Sequence, residues 1–244
     1  MLMPLLTPGI REWEDIKAFI AENNIPYIGN HQALFDVATS HVTLDGLWME
    51  FGVATGKTIN YIAGKAPGVT YGFDSFEGLP EDWTASLKKG AFRQEKLPDV
   101  VGNVHLVVGL FQDVLENFLA VHRRDVSYVH LDADIYSSTK YVLFTLAKQQ
   151  RIRQGTIIQL DDIFYFESGQ DVWYTDEFRA FFEFAQRFNA EFKWLGYSGQ
   201  RATIKITRII NETLYLPVTS RISRGWKGEW RDLAHHQCPS QVPA

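Results

Sequence analysis

The sequence predicts an α/β fold: a Rossmann-like, seven-stranded and mostly parallel sheet with helices on both faces. The main observation is that short apolar runs alternate with helical patterns through the middle of the chain, which is typical of a parallel α/β sheet. Hydrophobic residues make up 45% and charged residues 22% of the 244 residues, as in globular proteins. A chain of this length buries enough surface to fold without disulfides or metals.

Three segments follow from where this alternation begins and ends. Residues 1–44 are predicted to be an N-terminal helical segment, with amphipathic helices over 11–22 and roughly 31–41. Residues 45–207 carry the alternating pattern and form the predicted α/β domain. Residues 208–244 lose it and are predicted to be a C-terminal appendage that packs on the domain or on a partner subunit. The N-terminal helices and this aromatic-rich tail are candidates for a homodimer interface.

Within the domain, each predicted strand is an apolar run and each predicted helix has amphipathic spacing. The strands are predicted at 47–53, 69–74, 104–108, 126–132, 156–161, 191–197 and 202–207. The helices are predicted at 57–65, 113–122, 137–150 and 176–189. The last helix has phenylalanines at helical spacing, which predicts a stripe that packs in the core: Phe178, Phe181, Phe182 and Phe188.

Charge and cysteine content exclude several classes of function. The formal net charge is −5, whereas proteins that neutralise nucleic-acid phosphates are usually basic. No apolar run approaches the roughly 18 residues of a membrane span, and the N-terminus lacks the basic region of a signal peptide. The single cysteine, Cys238, is typical of a reducing compartment. We therefore expect a cytoplasmic protein with neither a nucleic-acid nor a membrane partner.

Polar residues follow nearly every predicted strand, at the carboxyl ends where open α/β sheets bind ligands. They are Glu50, Gly52 and Gly56 after the first strand, Asp74 after the second, Gly109, Gln112 and Asp113 after the third, Asp132 and Asp134 after the fourth, and Asp161 and Asp162 after the fifth. A structural protein has little reason to collect mutually repelling acids at one edge. This edge of the sheet is therefore the predicted ligand site.

The turn over residues 50–58 has several interpretations. A P-loop needs four residues between its glycines, and only three separate Gly52 from Gly56, although Asp161-Asp162 resembles the acidic strand end of such proteins. A dinucleotide fingerprint needs a closer glycine pair. The acid-x-Gly-x-x-x-Gly turn of a methyltransferase fits without adjustment, because its glycines let the backbone approach the methionine part of S-adenosylmethionine. A plain turn without a ligand is the remaining alternative.

Asp74 lies 22 residues after Gly52, at the end of the next predicted strand. An acid in this position accepts hydrogen bonds from both ribose hydroxyls of a nucleoside. The spacing suits NAD and S-adenosylmethionine equally, so it predicts a nucleoside without choosing between them. The structural alternative is a residue that only organises the turn.

Three acids at the ends of two strands, Asp132, Asp161 and Asp162, predict a cation site. Converging carboxylates without a compensating Lys or Arg repel one another, and a divalent cation removes that cost. Oxygen ligands favour Mg²⁺, with Mn²⁺ or Ca²⁺ as alternatives, and the sequence offers no His/Cys cluster for zinc. Capping of the next helix is the alternative role for Asp134 and Asp132.

At these residues the sequence resembles class I S-adenosylmethionine-dependent methyltransferases. More narrowly, it resembles the macrocin O-methyltransferase-like family, which modifies sugars of macrolides and related natural products. The resemblance covers about residues 45–207, and its segments are WMEFGV (48–53), YGFDSFEGLP (71–80), GLFQD (109–113), HLDADIYSST (130–139) and GTIIQLDD (155–162). It implies a metal-dependent O-methyltransferase that uses S-adenosylmethionine and Mg²⁺ as cofactors and acts on a small-molecule acceptor.

The resemblance also implies residue roles. Glu50 and Gly52 line the methionine moiety, Asp74 holds the ribose, and Gln112 lies near the adenine. The full set expected at the cofactor is Glu50, Gly52, Gly56, Asp74, Ser75, Phe76, Gly109, Gln112 and Asp132. The metal ligands are Asp132, Asp161 and Asp162. Ile135 stands where catechol-type enzymes have a catalytic Lys, and this departure favours the sugar-modifying branch.

The predicted reaction needs a base, and a metal-bound hydroxyl gives up its proton more readily. Asp132 is the first candidate, with Asp134 and His130 as alternates, although a lone His in a strand is more often a satisfied core residue. The loop over 77–99, with Trp83, Lys88, Lys89 and Phe92, is a candidate lid. The alternatives in function are a metal-independent or N-directed methyltransferase, and a cofactor-binding relative with other chemistry.

Overall fold

The computed structural model of the protein describes residues 13–165 and 176–210. These residues belong to one unit of the chain, and the second unit, Thr213–Ala244, lies outside them. Almost all of the predicted appendage, including Cys238, therefore lies outside the described residues. Among those residues, no helix combines the length and the apolar character needed to cross a membrane.

Strands and helices occur in the predicted order. The strands are β1 Leu47–Phe51, β2 Thr70–Asp74, β3 Val104–Val108, β4 Val126–Leu131, β5 Ile157–Leu160, β6 Glu191–Ser198 and β7 Arg201–Arg208. The helices are α1 Trp13–Glu22, α2 His31–Ser40, α3 Lys57–Ala63, α4 Phe111–Val121, α5 Tyr136–Lys148 and α6 Glu177–Arg187. β1 ends two residues earlier than predicted because Gly52, at φ +91°, turns the chain away from the sheet.

The seven strands form one mixed sheet in the order β3-β2-β1-β4-β5-β7-β6. The first five strands in this order are parallel, and β7 runs antiparallel to both β5 and β6. The predicted Rossmann-like, mostly parallel sheet is confirmed. The chain order reverses between β1 and β4, and ligands bind at such a switch point beyond the carboxyl ends of the strands.

Helices cover both faces of the sheet, as predicted. In β1, Leu47, Met49 and Phe51 pack in one core cluster together with residues of α1, α4, α5 and α6. The side chain of Trp48 packs in a second cluster on the other face, against residues of α2 and α3. This alternation is what a strand covered on both faces requires, because successive side chains point to opposite sides.

The predicted phenylalanine stripe of α6 packs in the core. Phe178, Phe181 and Phe188 are buried, and Phe182 is partly buried against the same cluster. The Phe178 ring meets Phe19 of α1 edge-on, with 5.2 Å between the ring centroids. Such edge-to-face contacts add to the stabilisation that comes from burial alone. The interpretation of the stripe as core packing is confirmed.

Candidate functional site

The turn over residues 50–58, called the glycine turn below, is held against β2 by hydrogen bonds to the Asp74 side chain. Asp74 Oδ2 accepts hydrogen bonds from the backbone N–H groups of Val53 and Ala54, both at 2.8 Å. Asp74 Oδ1 accepts a third from the N–H of Phe76 at 2.7 Å. An ionised carboxylate has about four acceptor positions, so one remains for a ligand hydroxyl. Asp74 therefore organises the turn, as the structural alternative expected, and keeps acceptor capacity for a ribose.

Beside this turn lies a cavity of about 250 Å³. Seven of the predicted site residues line it: Gly52, Asp74, Ser75, Gly109, Gln112, Asp132 and Asp134. They come from the ends of β1, β2, β3 and β4, at the switch point of the sheet. In this cavity the predicted nucleoside-binding residues meet two of the predicted acids.

Three residues predicted to bind the cofactor lie outside the lining of this cavity: Glu50, Gly56 and Phe76. Glu50 is fully buried. Gly56 is the N-cap of α3 at φ +78°, and a Cβ atom there would lie 2.9 Å from Cβ of Pro98. Phe76 packs in a small core cluster behind the turn. Their roles toward the cofactor stay predictions.

The candidate lid over 77–99 contributes a second wall of the cavity through Gly78, Leu79, Pro80 and Phe92. Trp83 lies away from the cavity, with its ring centroid 4.5 Å from that of Tyr165 and its Nε1–H donating to Asp176 Oδ2 at 3.2 Å. Lys88 pairs with Asp82 on the surface. The loop is thus anchored at Trp83, while its lid movement stays a prediction.

The three predicted metal ligands come together at the carboxyl ends of neighbouring strands β4 and β5. Asp132, Asp161 and Asp162 each present one carboxylate oxygen, and these oxygens lie within 4.8 Å of one another. All-oxygen donors at this spacing suit a hard divalent cation such as Mg²⁺. The donor set therefore fits the predicted ion.

One premise of the cation prediction is wrong, because the acids do have a compensating cation. Arg201 Nε lies 2.8 Å from Asp161 Oδ1, and Gln200 Nε2 donates a hydrogen bond to Asp162 Oδ1. Arg201 is the first residue of β7, which pairs antiparallel with β5, and Gln200 immediately precedes it. The sequence showed no signal for this pairing, so it could not bring Arg201 to the acids.

The remaining repulsion is visible in the pKa values of the other acids. Burial and the neighbouring charge of Asp161 raise the pKa of both Asp132 and Asp162 well above the usual range. Burial and the charge of Asp132 raise the pKa of Asp134 to about 8. At Asp161, by contrast, His130, His31 and Arg201 outweigh burial and hold the pKa well below its usual range. A bound cation would favour the ionised form of all these carboxyls.

A further acid at this site, Glu177, was missed from the sequence. It is fully buried, its Oε2 accepts from the backbone N–H of Asp162 at 2.9 Å, and its Oε1 accepts from Thr139 Oγ1 at 3.3 Å. Burial and the charge of Asp162 raise its pKa well above the usual range. Glu177 starts α6, 15 positions after Asp162 and beyond the end of the predicted strand, and nothing in its neighbours signalled this position.

The capping alternative for Asp134 and Asp132 is wrong. Helix α5 begins at Tyr136, its N-cap is Ile135, and no side chain caps it. Asp134 instead has φ +57°, a left-handed conformation that Asp tolerates better than most residues. In this conformation Asp134 belongs to the cavity wall.

His130 lies beneath the acids, fully buried, and not in the cavity wall. Its Nδ1 is 2.8 Å from Glu50 Oε1. Burial opposes a charge on the ring, yet Asp161 and Glu50 raise the pKa of His130 to about 10. This placement favours the core-residue interpretation over that of a base.

The sequence offered no His/Cys cluster for zinc, but the fold brings two histidines to the same acid. His31, from the start of α2, and His130 both approach Asp161, so that one ligand atom of each lies within 4.8 Å of the others. The two histidines are 99 positions apart in the chain, on a helix and a strand of different segments. Their proximity depends on how α2 packs against the sheet, which spacing in the sequence does not encode.

Known proteins that are similar to this chain include methyltransferases. Residues 49–163, somewhat under half of the chain, match the family model of a methyltransferase domain. CalS11, a TDP-rhamnose 3′-O-methyltransferase of calicheamicin biosynthesis, is structurally similar at 19% identity and a TM-score of 0.51, over 82% of this chain and 88% of that chain. No protein in the curated set matches the sequence.

Two further structures align less well. An O-methyltransferase from Bacillus cereus, in complex with SAH, has 13% identity and a TM-score of 0.44, over 82% of this chain and 94% of that chain. TomG of Streptomyces achromogenes, an O-methyltransferase of tomaymycin synthesis in complex with SAM, has 16% identity and a TM-score of 0.45, over 82% and 92%. The comparisons thus give a methyltransferase-domain match over residues 49–163 and, from CalS11, support for the fold.

Proposed function

We propose that the protein transfers the methyl group of S-adenosylmethionine to a hydroxyl of a small molecule, a sugar or a related natural product, with the help of a divalent cation. One observation carries the proposal: a single cavity is lined both by the turn that Asp74 fastens and by the acids Asp132 and Asp134. A cofactor held at the turn and an acceptor held at the acids would share this cavity. The activity stated for CalS11 accords with a sugar acceptor.

The nucleoside end of the cofactor belongs at Asp74. Its free acceptor position can take a ribose hydroxyl, and Ser75 and Gln112 stand on the same cavity wall. Gly109, at the end of β3, also lines this wall. Here a Cβ atom would lie 2.6 Å from Val114 Cγ1, so any side chain at this position would force Val114 of α4 to shift.

The acceptor belongs at the acids. Asp132, Asp161 and Asp162 would hold Mg²⁺, which, when bound, lowers the pKa of a coordinated hydroxyl. Asp134 is not one of these ligands, but it lines the cavity. Burial raises its pKa to about 8. A base is most effective when its pKa lies near the working pH, so we assign the base role to Asp134. Asp132 and His130 remain the alternates.

Metal-independent methyl transfer is the second candidate, and one observation favours it. Arg201 and His130 already compensate the charge of Asp161 without a metal ion. In this alternative the acids would stabilise the fold or bind the acceptor, and the methyl group could be transferred to a nitrogen atom instead of a hydroxyl. Insensitivity of the turnover rate to EDTA would select this alternative.

The test is a calorimetric titration with S-adenosylhomocysteine, with and without Mg²⁺, and with ATP as the comparison ligand. Binding of S-adenosylhomocysteine but not ATP is expected. Asp74→Ala should abolish it, whereas Asp99→Ala, which changes an exposed acid outside the cavity, should leave it intact. Binding that survives Asp74→Ala would contradict the assignment of the cofactor to this cavity.

The acceptor is tested separately, by methyl transfer to a panel of nucleotide sugars, free sugars and phenols, with and without EDTA. Turnover of a sugar that EDTA abolishes and Mg²⁺ restores is the expected result. The cytoplasmic location, the homodimer and the exclusion of nucleic-acid and membrane partners stay predictions from the sequence.

A further inference from the structure

Two buried imidazole nitrogens approach one carboxylate oxygen and make no hydrogen bond. His31 Nε2 lies 3.2 Å and His130 Nε2 lies 3.5 Å from Asp161 Oδ1. Both nitrogens are inaccessible to solvent and lack a hydrogen-bond partner, so each is at ion-pair distance without hydrogen-bonding geometry. A buried polar atom that is left unpaired costs roughly 1–3 kcal/mol, and two such atoms at one oxygen call for an explanation.

The spacing of the three atoms is that of ligands around a metal ion. Zinc takes His nitrogen and Asp oxygen at about 2.0–2.2 Å in tetrahedral geometry, which places neighbouring ligand atoms about 3.4 Å apart. The two distances to Asp161 Oδ1 bracket that value, and all three ligand atoms lie within 4.8 Å of one another.

The surroundings of His130 are those of a metal-binding histidine. A ligating imidazole almost always donates its other N–H to a carboxylate or carbonyl, which fixes the tautomer. Here the Nδ1 of His130 lies 2.8 Å from Glu50 Oε1, and both side chains are fully buried. This arrangement leaves Nε2 as the nitrogen that faces Asp161, and a metal ion bound there would displace the proton that the imidazolium otherwise holds between Glu50 and Asp161.

His31 is the ligand nearest to solvent. Its side chain is 33% exposed, it begins α2, and its ring lies 4.6 Å from that of Phe35. Both ring nitrogens that face Asp161 are inaccessible to solvent, so an ion would have to enter by displacing the His31 ring.

We propose that His31, His130 and Asp161 bind a borderline transition-metal ion of the zinc class. This site differs from the proposed Mg²⁺ site of Asp132, Asp161 and Asp162, the carboxylate triad, although both sites use Asp161. Nitrogen ligands suit zinc and its neighbours, whereas Mg²⁺ prefers oxygen. Arg201, 2.8 Å from Asp161 Oδ1, opposes the site by competing for that oxygen. The inference does not rest on the proposed methyl transfer.

The test titrates metal-stripped full-length protein with Co²⁺, whose visible absorption reports tetrahedral coordination, and then displaces it with Zn²⁺. The parent carries His235→Ala, His236→Ala and Cys238→Ala, because those three side chains are of types that bind zinc and stand close together in the sequence. One equivalent of tetrahedral Co²⁺ is expected. His31→Ala, at a partly exposed position, should abolish the absorption.

Three more variants complete the test. Glu50→Gln should weaken the affinity by about 10- to 100-fold, as loss of a carboxylate partner does. The controls are His105→Ala, an exposed histidine elsewhere, and Asp162→Asn, which changes the triad alone, and both should retain the absorption. The proposal is overturned if the parent binds no Co²⁺, if His31→Ala binds it unchanged, or if Asp162→Asn abolishes binding.

Discussion

A Cβ atom on residue 52 would lie 1.8 Å from the carbonyl oxygen of Asp132. Gly52, at the end of β1, and Asp132, at the end of β4, are therefore in direct backbone contact. The backbone N–H of Asp132 also donates to the carbonyl of Phe51 at 2.8 Å. The glycine turn and the acids thus form one packed unit, and Gly52 is required by the protein itself, whatever ligand the turn binds.

This contact predicts that Gly52→Ala is strongly destabilising. The new Cβ would clash with backbone, and φ at this position is +91°, so overpacking and backbone strain add, each at about 1–3 kcal/mol. The free energy of unfolding in urea measures the loss. Gly68→Ala is the matched control, because nothing lies within 4 Å of its Cβ position, and it should change stability by less than about 0.5 kcal/mol. Equal stability of the two variants would contradict the clash.

Ionisation of Asp134 should make the rate of methyl transfer depend on pH, and the range in which the rate rises is called the limb below. A base accepts a proton only when ionised, and the pKa of Asp134 is about 8 without metal. Because turnover is expected to need Mg²⁺ and a nearby cation favours the carboxylate, the rate measured with Mg²⁺ should rise with pH along a limb that lies below pH 8. Asp132 and Asp162 face the same space, so the limb belongs to the cluster as a whole.

Variants separate the base from the rest of this cluster. Asp134→Asn should remove the limb and lower kcat by about 10²- to 10⁴-fold. Asp113→Asn, which changes an exposed acid in the first turn of α4, should keep both the limb and the rate. If the limb persists in Asp134→Asn, the base is another group, with Asp132 the next candidate.

Phe92 should contribute to acceptor binding. It is 49% exposed, lines the cavity and has φ +66°, an unusual conformation for a bulky residue and a frequent one at functional sites. Phe92→Ala should raise the acceptor KM about 10-fold, the value of roughly 1.4 kcal/mol in binding, with little change in stability. Leu97→Ala is the control, because Leu97 is 50% exposed in the same loop but outside the cavity wall. Equal KM values in the two variants would remove Phe92 from the acceptor site.

The strand ends were predictable because their signals are local. An apolar run followed by an acid marks both the strand and the residue beyond it, and parallel strands place all such residues at one edge of the sheet. Asp132 and Asp161 could therefore be grouped from sequence alone, and β4 and β5 are indeed adjacent. The same logic brought Asp74 to the glycine turn.

The partners of those acids were not predictable, because they arrive through non-local packing. Arg201 reaches Asp161 only because β7 inserts antiparallel between β5 and β6. His31 reaches it from a helix, and Glu177 reaches Asp162 from the start of α6. No periodicity or motif marks these residues, so the sequence showed the charges of the site but not their compensation.

Arg201 should compete with a metal ion for Asp161, because its guanidinium already contacts the carboxylate oxygen that the ion would use. Arg201→Met should lower the free energy of unfolding without metal by about 1.5–3 kcal/mol, the worth of a hydrogen bond to a charged group. If Mg²⁺ binds the triad, the Tm increase that it causes should be larger in Arg201→Met than in the parent, because the ion no longer competes with a guanidinium. Arg208→Met, which breaks an exposed pair with Glu191, should change neither quantity measurably. A Mg²⁺-induced Tm increase that is the same in all three proteins would show that the ion, if it binds, does not use Asp161.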